Sequence, residues 1–97
     1  MILSKLIIVY TTLVTSPKAE VYFIQDSVTK MVKIGKTGLN NSPERLKQLQ
    51  TGNPSQLVLV KTIPTHQGFK LEKVLHKKHV ANHYRGEWFR EAVLAKK

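Results

Sequence analysis

Three side chains of this 97-residue chain could act together on a phosphodiester. Tyr22 and Lys33 lie in two apolar runs that a short polar connection separates, and Arg45 stands at the start of a helical pattern. A phenol can orient or deprotonate water, and lysine and arginine bind phosphate oxygens, arginine through two parallel hydrogen bonds. If the fold brings these segments together, the three side chains converge on a single phosphate.

Glu72 and His76 are four residues apart, so both lie on one face of the helix that this region predicts. A carboxylate is a suitable ligand for Mg²⁺ or Mn²⁺, which keep most of their waters and need only one or two protein oxygens. His76 would then carry a proton or hold a metal-bound water. The alternative is an ordinary Glu–His pair on the surface.

The same stripe continues to His79 and His83, in steps of three and four residues. This spacing would suit a zinc or nickel site in a protein that senses or carries metal. Against that hypothesis, His83 lies near the expected end of the helix, and such stripes are more often solvated or partly buried histidines.

The charge of the chain points to a polyanionic partner. Sixteen Lys and Arg residues against six Asp and Glu give a net charge of +10. Nucleic acid is the first candidate partner and an anionic membrane surface the second. An apolar fraction of 41% and this length fit one folded domain. The absence of cysteine excludes disulfides, thiolate zinc sites and cysteine nucleophiles, and it suits a cytoplasmic protein.

Residues 1–19 form an N-terminal extension to the main domain, which we place at residues 20–97. β-Branched residues predict an extra strand over residues 4–14, which Pro17 ends. A signal peptide is the alternative, but Tyr10 and two threonines interrupt its apolar run, and Pro17–Lys18 makes a poor cleavage site. The run is too short to span a bilayer, so we expect no membrane anchor.

The remaining pattern predicts an α+β domain. Strands over residues 21–25 and 31–35, joined by five polar residues, predict an antiparallel hairpin. A third strand over residues 57–63 reads as a central strand that Pro64 ends. The expected architecture is a small three-stranded antiparallel sheet flanked by helices, with residues 4–14 as a candidate fourth strand.

Helix signals are clear at two places. Ser42 is expected to cap the first helix, with Pro43 at its first position and Gly52 after its end. A second helix is expected over residues 68–82, and a turn at residues 84–86 precedes a short terminal helix. Apolar residues that the two helices should turn inward are Leu46, Leu49, Leu71, Val74, Leu75 and Ala81.

Five motifs occur in a fixed order: Val-Tyr in the first strand, Lys-Ile-Gly-Lys-Thr in the second, Pro-Glu-Arg-Leu, Glu-x-x-x-His, and Gly-Glu-Trp-Phe. Together they resemble the GIY-YIG nuclease superfamily, and most closely its short phage and bacterial branch with a Lys-Ile-Gly second motif. The match runs from about Val21 to Phe89. Each motif alone is weak, but five in this order and spacing are fairly specific.

The resemblance implies a DNA endonuclease that uses one divalent ion, Mg²⁺ or Mn²⁺. The implied catalytic residues are Tyr22, Lys33, Arg45 and His76, and the implied metal ligand is Glu72. Lys33 stands where many members carry a second tyrosine. A phenol is a weak base near neutral pH, so we expect Lys33 to assist Tyr22 or to bind the phosphate.

Each implied role has a structural alternative. Tyr22 would be a packing aromatic, Lys33 a solvated strand lysine, and Arg45 a partner of Glu44. Glu87, in the Gly-Glu-Trp-Phe motif, either lines the site as a second carboxylate or pairs with Arg85 or Lys33. Trp88 and Phe89 are expected to pack the C-terminal segment onto the core.

The glycine and the lysines complete the expected site. Gly35 would allow a close approach to the backbone. Phosphate contacts without sequence preference are expected from Lys36, Lys47, Lys73 and Lys77. No recognition-helix pattern is visible, so sequence specificity should be low. The alternative to the nuclease is a catalytically inactive nucleic-acid-binding module with the same fold. Monomer and dimer, the DNA substrate and the pathway all stay open.

Overall fold

The computed structural model describes residues 17–95 and confirms an α+β fold. The strands are β1 (Ala19–Asp26), β2 (Val32–Gly38), β3 (Leu57–Thr65), β4 (His83–Arg85) and β5 (Trp88–Phe89). The α-helices are α1 (Ser42–Gln50) and α2 (Gly68–Lys78), and short 3-10 helices cover Val80–Asn82 and Glu91–Leu94. The strand expected over residues 4–14 lies outside the described residues, and the division at residue 19 stays a prediction.

The predicted hairpin of β1 and β2 is present. Tyr22 lies opposite Gly35, and Ile24 lies opposite Lys33, in an antiparallel register. The turn between the strands is held by Asp26, whose Oδ1 accepts hydrogen bonds from the backbone amides of Val28 and Thr29 at 2.8 and 3.0 Å. A carboxylate placed directly after β1 therefore ends the strand and sets the register of the next one.

The sheet has five strands in the order β3-β1-β2-β5-β4, so the expected three-stranded sheet was too small. The two additional strands come from residues 83–89, where Gly86 takes a φ of +55° in the tight turn between them. Among residues 17–95, β3 lies at an edge of the sheet and not at its centre, where it was predicted. An edge strand tolerates proline, which explains why Pro64 lies within β3 instead of ending it.

Apolar side chains alternate between the two faces of the sheet, and one helix covers each face. Val21 and Phe23 point towards Leu71 and Leu75 of α2. The opposite face is packed against α1, in a cluster formed by Tyr22, Ile24, Leu57, Leu46, Leu49 and Trp88. The inward positions of Leu46, Leu49, Leu71 and Leu75 are confirmed, as is the packing of Phe89, which is fully buried.

The prediction that Val74 and Ala81 point inward was wrong. Val74 is 55% exposed, because the contact between α2 and the sheet is narrow and uses Leu71 and Leu75, one helical turn apart. Ala81 is also exposed, because α2 ends at Lys78 and a 3-10 turn follows. Within residues 17–95, neither helix has the length and apolar character needed to cross a bilayer.

The start of α1 is held by a residue from β1 and not by a cap within the helix. The prediction that Ser42 caps the helix was wrong, because Ser42 is the first helical residue and accepts no hydrogen bond from an amide of α1 among the described residues. Its buried hydroxyl donates to the Glu20 carboxylate. Glu20 also accepts from the backbone amides of Asn40 and Ser42, at 3.0 and 3.1 Å. Burial alone would raise the pKa of Glu20, but these hydrogen bonds outweigh it and hold that pKa below its usual range.

Candidate active site

The outer edge of β2 is half covered. β5 pairs with Val32 and Lys33 only, and the backbone amide of Ile34 donates to the Glu87 carbonyl at 2.9 Å. Within residues 17–95, no strand pairs with the outer side of β2 after that point. We call residues 35–38 of this strand the β2 edge. Side chains from both faces of the sheet reach it, and they include most of the residues that the sequence singled out.

Tyr22 covers the β2 edge from the α1 face of the sheet. Its side chain is 1% exposed, and a Cβ atom at Gly35 would lie 2.8 Å from Tyr22 Cε1 and closer still to Cζ and Oη. The ring therefore lies directly over Gly35, and only glycine leaves room for it. Lys33 shares this face, because residues opposite one another in an antiparallel pair point the same way and Lys33 precedes Gly35 by two.

Lys33 links Tyr22's face to the Gly-Glu-Trp-Phe segment. Its Nζ lies 3.0 Å from Glu87 Oε1 and 5.7 Å from the centre of the Trp88 ring. Of the partners expected for Glu87, the structure shows Lys33. The lysine side chain is 15% exposed, so this ion pair is better shielded from water than a surface pair.

Glu72 approaches the same place from the other face. It lies on α2, is 8% exposed, and its Oε2 has no hydrogen-bond partner among the described residues. Burial raises the pKa of Glu72, and the charge of Glu87 and a hydrogen bond shared with it raise that pKa further. The charges of His76 and Lys36 act in the opposite direction. A shared proton or a bound cation would reduce the repulsion between these two carboxylates.

The carboxylates therefore pass a chemical test for a divalent ion. Mg²⁺ and Mn²⁺ prefer oxygen ligands, and one or two carboxylates suffice because water completes the coordination. Glu72 offers a buried oxygen without a hydrogen-bond partner among the described residues, and Glu87 is near enough for its charge to raise the pKa of Glu72. Glu72 and Glu87 are thus the residues that could hold such an ion.

His76 is engaged with the sheet. Its Nε2 donates to the carbonyl oxygen of Ile34 at 2.9 Å, and its ring packs edge-on against Phe89 with 4.9 Å between centroids. This hydrogen bond fixes α2 against β2 one turn after Glu72. His76 thus contributes to placing the Glu72 carboxylate.

Arg45 is separate from the carboxylates. It is half-buried in the first turn of α1, and its Nη1 donates to Gln48 Oε1 at 2.6 Å instead of pairing with Glu44. α1 covers the face that carries Tyr22. Among the described residues, no hydrogen bond or ion pair joins Arg45 to Lys33 or Glu72.

The predicted residues therefore lie on two faces of one sheet. Tyr22 and Lys33 lie on the α1 face, and Glu72 and His76 approach from α2. Glu87 connects the two sets, because it pairs with Lys33 at 3.0 Å and its charge raises the pKa of Glu72. A site built this way surrounds the part of the β2 edge that no strand covers within residues 17–95.

The hypothesis of a multi-histidine metal site is wrong. His79 follows the last residue of α2, and His83 Nε2 donates to the Gly86 carbonyl at 2.8 Å. In the described part of the chain, no group of three or more His, Cys, Asp or Glu residues is arranged to hold a metal. A divalent ion held by one or two carboxylates needs fewer protein ligands than such a group, so the absence of a group of three does not exclude it.

The lysines expected to contact phosphate are all exposed, but they divide between the helices. Lys47 lies on α1, whereas Lys73 and Lys77 lie on α2. Lys36, on β2, and Lys73 flank the ring of Phe69, at 5.4 and 4.9 Å from its centre. Phe69 is 60% exposed and was missed by the sequence reasoning. The sequence did contain a signal for it, because Phe69 is an aromatic residue three positions before Glu72 in a segment rich in lysine.

One comparison with known proteins gives a match. A family model described as the T5orf172 domain matches residues 9–96, which is most of the chain. No curated protein and no solved structure gives a significant match.

Proposed function

We propose that this chain, which belongs to the T5orf172 domain family, a phage-derived family generally related to GIY-YIG-like nucleases, is a metal-dependent DNA endonuclease. The observation that carries the proposal is the buried Glu72 carboxylate, which faces Glu87 and has an oxygen without a partner among the described residues. Such a pair is unfavourable for stability alone, because burial and like charge both oppose ionisation. A bound divalent cation would relieve both effects.

Glu72 and Glu87 would hold Mg²⁺ or Mn²⁺, which supplies Lewis-acid stabilisation of negative charge on the phosphate. Lys33 neutralises the outer oxygen of Glu87 and leaves the rest of that carboxylate free to act with Glu72. His76 acts as a positioning residue, because its Nε2 is committed to the Ile34 carbonyl.

Tyr22 would handle the attacking water. Hydrolysis forms a bond from water oxygen to phosphorus, breaks one phosphorus–oxygen ester bond, and moves a proton from the water to the leaving oxygen. The Tyr22 ring is fixed over Gly35, so its hydroxyl has a defined position at the β2 edge. Lys33 is a cation on the same face and would favour a phenol that orients or deprotonates water.

Arg45 would bind the phosphate from the α1 face. A guanidinium that forms two hydrogen bonds to phosphate oxygens offsets the charge that develops during attack. In the structure the same guanidinium donates to Gln48, so phosphate binding must release that hydrogen bond. Gln48 is on the exposed surface, so little free energy opposes the exchange.

Plasmid nicking tests this proposal. The chain should relax supercoiled DNA with Mg²⁺ or Mn²⁺ and not with EDTA, and Glu72→Gln and Arg45→Ala should each lower the rate by about 100-fold or more. Glu44→Gln is the matched control, because it alters an exposed carboxylate beside Arg45. If the wild-type chain binds DNA in a salt-sensitive way but never cuts, it is instead an inactive DNA-binding module.

A further inference from the structure

An exposed aromatic ring lies near Glu72 and is contacted by two lysines. Phe69 is in the first turn of α2, with 60% of its surface exposed. Lys36 comes from β2 and Lys73 from the next helical turn, and their Nζ atoms lie 5.4 and 4.9 Å from the ring centre. Lone exposed apolar residues are common. Here, however, cations from two separate elements converge on the ring.

This cluster is directly connected to the candidate active site. Glu72 lies three residues after Phe69, so the two side chains are neighbours on the surface of α2. Lys36 contacts the ring and is close enough to Glu72 for its charge to act on that carboxylate. A nucleotide seated on Phe69 would therefore have its own phosphates beside Lys36, Lys73 and Glu72.

We propose that Phe69 is a stacking platform for an unpaired DNA base, with Lys36 and Lys73 binding the phosphates on either side of that nucleotide. The inference rests on the proposed nuclease function and specifies its substrate class: DNA with single-stranded nucleotides, such as a gap, a flap or a free strand. Aromatic rings between cations are how proteins hold single strands without reading sequence. A base that stacks replaces a weaker lysine–ring contact and frees an ammonium group for phosphate.

The low expected sequence specificity agrees with this assignment. Every base has an aromatic face, so stacking discriminates paired from unpaired nucleotides and not one base from another. In a continuous duplex both faces of each base are covered by its neighbours. The ring of Phe69 would then contact only the outside of the duplex, and Lys36 and Lys73 would contribute as ordinary phosphate contacts.

Fluorescence anisotropy with labelled DNA in EDTA, where no cleavage occurs, tests the proposal. Three ligands are compared: a single strand, a gapped duplex and a continuous duplex. Phe69→Leu should weaken binding to the first two by at least about five-fold and change duplex affinity by less than about two-fold. Tyr84→Leu is the matched control, because Tyr84 is 58% exposed and no lysine lies over its ring within residues 17–95. It should bind all three ligands as the wild type does.

Two results would overturn the stacking role. Either Phe69→Leu binds single strands as well as the wild type, or it loses the same factor on single strands and duplex. If Phe69→Leu does not fold, Phe69→Trp gives an independent answer, because the natural chain has one tryptophan, Trp88. Its emission should change when single-stranded DNA is added and more than that of the wild type. An unchanged emission at saturation would also overturn the proposal.

Cleavage assays separate this inference from the proposed function. If the wild type shows Phe69-dependent binding to single strands but no metal-dependent cleavage of any ligand, the nuclease proposal fails and the platform remains. If the wild type cleaves all three ligands and Phe69→Leu binds and cleaves each at the same rate, the nuclease remains and the platform fails.

Discussion

Replacing Gly35 by alanine should cause a more severe clash than the same change at any other glycine of the chain. The new Cβ would lie 2.8 Å from Tyr22 Cε1 and closer still to Cζ and Oη, so one of the two groups must move. Tyr22 is 1% exposed and its ring is packed against α1, so it cannot swing aside without leaving a cavity or clashing with Leu46 or Leu49. Overpacking of this kind costs about 1–3 kcal/mol.

Taking about 2 kcal/mol for the overpacking, we expect the Tm of Gly35→Ala to fall by about 8–16 °C, since each kcal/mol corresponds to about 4–8 °C in a domain of this size. Calorimetry or thermal circular dichroism measures the change. Gly38→Ala is the control, because it lies in the same strand and its added Cβ meets nothing within 4 Å. Its Tm should stay the same or rise slightly.

A double variant shows whether the clash is with Tyr22. In a Tyr22→Leu background the shorter side chain leaves the space above Gly35 empty, so Gly35→Ala should cost less than about 1 kcal/mol there. Tyr22→Phe should not rescue Gly35→Ala, because the ring carbon Cε1 remains 2.8 Å from the new Cβ. A Tm of Gly35→Ala within about 2 °C of the wild type would refute the position of the ring over Gly35.

Three further predictions follow from individual contacts. Glu72 has a raised pKa in the folded chain, so its ionisation lowers stability as pH rises from the ordinary glutamate range through that raised value. Glu72→Gln removes this ionisation. In urea unfolding it should therefore be more stable than the wild type at pH 8 and similar to it at pH 4. Glu20 has a lowered pKa, so its contribution to the free energy of unfolding is present above the ordinary glutamate range and is lost as pH falls through the lowered value. In the same assay, Glu20→Gln should lower the free energy of unfolding by about 2 kcal/mol at pH 7 and by little at acidic pH. Gln48→Ala should leave the plasmid nicking rate unchanged or raise it, because phosphate binding must release Arg45 from Gln48. A ten-fold loss of the nicking rate would show instead that the contact with Gln48 positions Arg45.

Local signals predicted the elements that depend on neighbouring residues. The β1–β2 hairpin follows from two apolar runs and a polar turn, and the α1 boundaries follow from Pro43 and the Gly52 stop. Gly52 takes a φ of +81°, which is why a helix can end there without strain. These features are set within a few residues, so sequence pattern and propensity are sufficient to find them.

Features that depend on distant contacts were missed. β5 has only two residues and exists because it pairs with β2, more than 50 positions earlier, so no periodicity marks it. Ser42 was expected to accept hydrogen bonds from the free amides of α1, but it lies inside the helix, and its hydroxyl donates to Glu20 from β1. The edge position of β3 follows from which strands pair, which its own composition does not encode.

The candidate site divides in the same way. The residue types and the Glu72–His76 spacing were visible in the chain, and so was the Lys33–Glu87 alternative that the structure adopts. The distribution over two faces was not visible, because it depends on which face each helix covers. Phe69 was overlooked because its significance lies in Lys36, which reaches it from another element.

Metal binding by the paired carboxylates is tested most directly by the rate of plasmid nicking as a function of Mn²⁺ concentration. We predict a saturable dependence for the wild type, a shift to at least about ten-fold higher Mn²⁺ for Glu87→Gln, and no measurable nicking for Glu72→Gln. A wild-type curve shared by both variants would show that Glu72 and Glu87 do not hold the ion.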